Sequence, residues 1–148
     1  MKDIVVIGSD HAGFCAKEHA KRWLILRGFN VLDVGVTNAK KRVDYPIYAL
    51  KVSGLVKDNA CLGVLACGSG TGMCIAANRI RGIRAASGYD VYSARMSRED
   101  NDSNILCLRG RNFPAKKYDA ILNAFFGARP SREVRHVRRA RQLDRIKT

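Results

Sequence analysis

The run Leu62-Gly63-Val64-Leu65-Ala66-Cys67-Gly68-Ser69-Gly70-Thr71-Gly72 decides the fold. Its first five residues form a short apolar stretch of the kind carried by a strand covered on both faces, and alternating glycines then break it. A helix is expected over 73–79 after the glycines. The same grammar repeats outward in both directions. Strands are expected at Ile4 to Ile7, Val31 to Val34, Ile83 to Ser87 and Ile105 to Leu108, with helical patterns between them. Ala16, Ala20, Trp23 and Leu24 make one helix face that ends near Gly28. Tyr48, Val52, Leu55 and Val56 make a second after Pro46, and Tyr118, Ile121, Leu122 and Phe125 a third after Pro114. This alternation predicts an α/β fold: a single-domain, Rossmann-like three-layer sandwich with a five-stranded parallel sheet and a basic C-terminal helix.

Composition fits that expectation. The 148 residues are 47% hydrophobic and 27% charged, one domain's worth over 1–148, which excludes whole-chain disorder. No apolar run approaches the ~18 residues of a membrane span, and Met1-Lys2-Asp3 does not read as the start of a signal peptide, so no membrane is expected. Five cysteines, without a C-x-x-C pair or a complementary histidine, suggest free thiols in a reducing, cytoplasmic setting and no metal. Cys15, Cys61, Cys74 and Cys107 are expected to be inert and buried.

Charge is concentrated at one end. Over 129–148, seven arginines and Lys147 face only Glu133 and Asp144, a net +6 of the chain's +14. Such a segment suits phosphate-bearing ligands, or else is simply a solvated helix. Nucleic acid is the weaker partner, because no aromatic residue follows Phe126 to stack on bases.

In open parallel sheets, ligands bind beyond the carboxyl ends of the strands. That rule selects Gly8-Ser9-Asp10-His11-Ala12-Gly13, the stretch from Gly35 to Pro46, and Cys67-Gly68-Ser69-Gly70-Thr71-Gly72. The last loop could present consecutive N–H groups to an oxyanion or phosphate. It is not a Walker A loop, since Ser69 stands where lysine is required, and its third glycine comes one residue early for a dinucleotide loop. Asp90 could still mimic that motif's ribose-binding acid. Cys67 could be a base or nucleophile if its thiolate is favoured, or an inert strand-end thiol. Asp10 could be a helix cap and His11 a loop histidine. Arg98-Glu99-Asp100-Asn101-Asp102-Ser103-Asn104 reads either as a polar loop or as groups facing a polyol.

These motifs, with Asp44-Tyr45-Pro46, Ala76-Ala77-Asn78, Gly82-Ile83-Arg84-Ala85 and Tyr92-Ser93-Ala94-Arg95-Met96-Ser97-Arg98, resemble the type B ribose-5-phosphate isomerase and galactose-6-phosphate isomerase family. The resemblance covers nearly the whole chain. It implies aldose–ketose interconversion of a small phosphorylated sugar through a cis-enediolate, with ribose 5-phosphate the expected substrate and no metal or organic cofactor. It further implies Cys67 as the base between C2 and C1, a role some members give to a glutamate just beyond the loop, where Met73 or its neighbours stand here. Ser69 would move hydroxyl protons, and the amides of Gly70, Thr71 and Gly72 would hold the enediolate, with Gly68, Tyr45 and Asn101 also at the substrate. His11, Arg111, Arg135 and Arg139 would hold the phosphate, with His136 adjacent. The family's shared sites imply a homodimer or tetramer in which the basic segment 129–148 reaches a partner subunit.

One position departs from the family pattern. Members commonly carry histidine in the H-N-D segment to open the furanose ring, whereas this chain has Asp100, and an ordinary carboxylate is ionised at neutral pH. The chain could use Asp10, rely on spontaneous opening, or prefer a tetrose or hexose phosphate. A non-catalytic partner subunit is the remaining rival, and the presence of Cys67 with the arginines argues against it.

Overall fold

The computed structural model describes residues 3–146. The first two and last two residues of the sequence, and with them the end of the expected basic segment 129–148, lie outside that range. Five strands alternate with helices: β1 (Ile4–Ser9), α1 (Phe14–Leu26), β2 (Asn30–Asp33), α2 (Tyr45–Asn59), β3 (Leu62–Cys67), α3 (Thr71–Ala77), β4 (Ala85–Ser87), α4 (Val91–Asn101), β5 (Ile105–Arg109), α5 (Lys116–Gly127) and α6 (Val134–Arg145). All pairings are parallel, and the strand order is β2-β1-β3-β5-β4.

Side-chain alternation along each strand builds two cores at once. Val5, Ile7, Val64, Ala66, Leu106 and Leu108 face α1, α4 and α5, where Ala20, Leu24, Ala94, Ile121, Leu122 and Phe125 pack. Val6, Leu65, Ile105 and Cys107 face α2 and α3, meeting Ala49, Val52, Val56, Met73 and Ala77. The three-layer α/β sandwich expected from the strand runs is therefore present. Since α1 and α3 leave the sheet on opposite faces, a crevice opens between the ends of the neighbouring strands β1 and β3.

Several boundaries differ from the sequence reading for local reasons. Helix α3 starts two residues early, at Thr71, because Gly70 takes the left-handed conformation (φ 79°) that turns the chain directly into the helix. Strand β4 begins at Ala85 rather than Ile83, which the side-chain amide of Asn78 fixes by accepting from the Ala85 N–H and donating to the Ala85 carbonyl. The basic helix begins at Val134, not near 129, after Ser131 N–H has tied the preceding segment to the Glu99 carbonyl at 2.8 Å. Asp100 and Asn101 are helical, not a loop. Asp102 caps α4 in the left-handed conformation, and Arg98 holds that cap by donating to the Asp102 carboxylate and the Ser103 carbonyl.

The cysteine expectation fails in part. Cys67 and Cys107 are buried, but Cys61 and Cys74 are half-buried and Cys15 is exposed, because it faces away from the apolar stripe of α1. Among the described residues no helix is long and apolar enough to cross a membrane.

Candidate active site

The ends of β1, β3 and β5 and the loop after β2 surround an open cavity of about 890 Å³, lined by Asp10, His11, Tyr45, Cys67, Gly68, Ser69, Thr71, Gly72 and Arg111 among others. Thus nine of the expected site residues converge from four segments far apart in sequence. The floor is held by backbone contact. Gly13 is packed so closely on β3 that a Cβ there would lie 2.2 Å from the Ala66 carbonyl, and its N–H donates to Asp10 Oδ1 at 2.9 Å. Asp10 is therefore a buried loop-fixing acceptor rather than the cap of α1, whose N-cap is Gly13.

Cys67 is 4% exposed and stands at the carboxyl end of β3. Its Sγ accepts from the Gly70 N–H at 3.2 Å, a donor placed where negative charge on sulfur would need one. The Thr71 N–H donates to Ser69 Oγ at 3.2 Å, which leaves the Ser69 hydroxyl proton free to point outward. Two of the three amides expected to hold an enediolate are thus engaged within the loop itself. Gly72 packs against the Tyr45 ring, since a Cβ there would sit 2.8 Å from the ring carbon Cζ.

Cations ring the other side. His11 Nδ1 accepts from the Val43 N–H at 3.2 Å, so a neutral His11 carries its proton on Nε2. Arg111 lies over Gly68, and its N–H donates to the Gly68 carbonyl at 3.0 Å. Arg42, Asp44 and Arg109 also line the cavity, and the sequence reading gave them no role. Arg109 ends a strand that enters the crevice and Arg42 closes the charge run after β2, so the strand-end rule could have found both.

Asp100, Asn101, Arg135 and Arg139 are not in this cavity. Helix α4 runs antiparallel to the strands, so its last turn lies at the amino edge of the sheet, roughly 16 Å of β5 away from the Cys67 edge. There Arg84 bridges Asp102 (2.9 Å) and Asp144 of α6 (2.7 Å), which docks the basic helix onto that edge. Arg135 pairs with the exposed Glu133, and Arg139 is exposed. Within one chain Arg135 and Arg139, unlike Arg111, lie at the opposite end from the expected base.

Behind the cavity, the Cys107 thiol hydrogen-bonds Cys74 and brings the Cys74 thiol down to about 6 against the cost of burial, with help from Ser87 and Asn78. The same contact, with complete burial, raises Cys107 well above its ordinary value. Among the described residues no group of three or more His, Cys, Asp or Glu could hold a metal ion.

A parallel α/β sheet with a cation-rimmed thiol and glycine loop in its crevice defines a class of small-molecule enzymes acting on anionic substrates. A family model described as Ribose/Galactose Isomerase matches residues 5–143. The chain is 39% identical over 125 residues to ribose-5-phosphate isomerase B of Escherichia coli, covering 84% of this chain and 83% of that one. Among solved structures, a ribose 5-phosphate isomerase of Thermotoga maritima superposes with a TM-score of 0.92 at 41% identity, covering 99% of this chain and 100% of the other. The type B ribose 5-phosphate isomerase of Trypanosoma brucei gives 0.91 at 39% identity, covering 97% and 98%. The chain belongs to the ribose/galactose isomerase family, and with it to the aldose–ketose isomerases.

Proposed function

We propose that the chain interconverts ribose 5-phosphate and ribulose 5-phosphate, with Cys67 moving the proton between C2 and C1. The observation that carries this reading is the thiol at the end of β3, facing a cation-rimmed cavity with an amide N–H already directed at its sulfur. No carboxylate stands just beyond the glycine loop, where some members place a glutamate base, because Met73 is buried in the core there. A Cys67 thiolate takes the C2 proton, the electron pair moves to the carbonyl oxygen, and the resulting cis-enediolate accepts a proton at C1. Ser69, whose hydroxyl proton is free, passes protons between the two substrate oxygens. Donors aimed at that developing charge contribute about 3–4 kcal/mol each.

The phosphate is held by His11 and Arg111 of the same chain and by Arg135 and Arg139 of a second copy, which also supplies Asp100 and Asn101. Support for sharing comes from the opposed placement of the two residue sets and from the exposed guanidinium of Arg139. Ile47 and Ile75, exposed on α2 and α3, are the apolar surface such an interface would cover.

Subunit mixing tests the whole reading. Cys67→Ala and the double variant Arg135→Ala/Arg139→Ala should each be inactive on ribose 5-phosphate. A refolded equimolar mixture of dimers should regain about a quarter of parental activity, because half of the molecules then carry one intact shared site. No recovery contradicts the shared site. A panel of four-, five- and six-carbon aldose phosphates decides the substrate, and turnover only of a tetrose or hexose phosphate replaces ribose 5-phosphate in the reading.

A further inference from the structure

Asp100 replaces the histidine expected in the H-N-D segment, yet its surroundings return an imidazole to the same place. In the last turn of α4 its side chain is 45% exposed, with Oδ1 3.6 Å from Nδ1 of His136. His136 is the one buried residue of α6, 8% exposed, and its Nδ1 has no hydrogen-bond partner. An orphaned buried ring nitrogen is costly, and 3.6 Å is just beyond hydrogen-bonding distance. A small rotation of the Asp100 carboxylate closes the gap, as catalytic hydrogen bonds that are long without ligand commonly do on binding. The other ring nitrogen, Nε2, lies 3.8 Å from Glu133, too far to be engaged. Arg84, Glu99, Asp102, Arg141 and Asp144 line the same cleft, but no hydrogen bond from them reaches Nδ1.

We propose that Asp100 and His136 form a carboxylate–imidazole pair that opens the sugar ring, His136 as the proton donor and Asp100 as its positioning residue. The inference rests on the shared-site reading, which carries this end of one copy to the cavity of the other. Asp100 accepts from Nδ1–H and so directs Nε2 outward. Imidazolium Nε2–H gives its proton to the furanose ring oxygen, and the C1–O bond breaks with its electron pair passing to that oxygen. The O1–H pair becomes the second bond of the aldehyde, the O1 proton passes to water, and a proton from water restores the imidazolium. A carboxylate offers only acceptor lone pairs, whereas an imidazolium carries an N–H on each ring nitrogen that can be given. Replacing histidine by aspartate at position 100 thus moves the donor across to α6 rather than removing it.

The test compares a cyclic with an open-chain substrate of the same reaction. Ribose 5-phosphate must be opened. Ribulose 5-phosphate cannot close a furanose, because its O5 carries the phosphate, so exchange of its C1 proton with solvent deuterium bypasses the pair. His136→Asn and Asp100→Asn should lower kcat/KM for ribose 5-phosphate relative to ribulose 5-phosphate exchange by at least ~10-fold, within the range of general acid catalysis. Asp100→Glu should recover the parental ratio to within about threefold. A purely structural role would depress both measurements together. A ratio unchanged in His136→Asn overturns the proposal. If that variant does not fold, the exposed Asp100→Asn decides alone, and an unchanged ratio there overturns it equally. Failure of subunit mixing with Cys67→Ala refutes the shared site, and the pair with it. Successful mixing with an unmoved ratio refutes the pair alone.

Discussion

Gly13→Ala probes the contact that brings the β1 and β3 loops together. The added Cβ would stand 2.2 Å from the Ala66 carbonyl carbon and oxygen and 2.6 Å from the Cys67 nitrogen, all backbone atoms that no rotamer can move aside. Ordinary contact begins near 3.4 Å, so the two backbones must part by roughly 1.2 Å. Overpacking of this kind costs about 1–3 kcal/mol, which lowers Tm by roughly 2–12 °C in a chain of this size. Because Gly13 N–H anchors Asp10, the displacement also separates Asp10 and His11 from Cys67. A misplacement near 1 Å costs on the order of 10²-fold in rate. Thermal melts followed by isomerisation assays read both effects. Gly54→Ala, on α2 with nothing near its missing Cβ, is the opposite control and should gain about 0.4–1 kcal/mol. A Gly13→Ala protein with parental Tm and activity would refute the close approach and the loop geometry built on it.

Other perturbations read other parts of the molecule. Arg135→Ala and Arg139→Ala should each raise KM for the sugar phosphate by about 10-fold or more, and inorganic phosphate should compete with substrate in the parent but more weakly in either single variant. Asp33 is pushed up by burial, but hydrogen bonds from Lys17, Lys21 and the Gly35 amide outweigh that and hold its carboxyl below the ordinary 3.8. Its stabilising contribution is therefore present above pH 3.8 and lost as pH falls through the lower folded value, and acid titration of unfolding should show this. Asp33→Asn should remove that dependence and cost about 3 kcal/mol, because Lys17, 1% exposed, loses one of its two carboxylates. Alkylation of Cys74 should follow a titration near pH 6 that moves upward in Cys107→Ala, and an unmoved titration would remove Cys107 as the cause.

Much of this arrangement was readable because the strands are covered on both faces. Their apolar runs stand out, and the strand-end rule then points at Asp10, His11, Cys67 and Ser69, while Arg111 is marked only by the family resemblance. What the residue pattern hid were conformations set by single side chains. Asp100 and Asn101 look like loop residues, yet Arg98 and Asp102 extend α4 through them. The exposure of Cys15 depends on which side of a helical stripe it falls. The family resemblance grouped Asp100, Arg135 and Arg139 with Cys67 and expected the basic segment to reach a partner subunit, but did not say which residues one chain keeps together. Since α4 returns antiparallel to the sheet, one copy alone cannot bring them together. The contact between Asp100 and His136 joins residues 36 apart in sequence through the docking of α6, which no local pattern encodes.

The central claim is proton transfer by Cys67, and isotope exchange tests it most directly. Parent and Cys67→Ala proteins, each shown folded by its melt, are incubated with ribose 5-phosphate in deuterium oxide and followed by proton magnetic resonance. The parent should form ribulose 5-phosphate carrying deuterium at C1, while Cys67→Ala should give neither product nor label. Ketose formed by Cys67→Ala at the parental rate, labelled or not, would contradict the account.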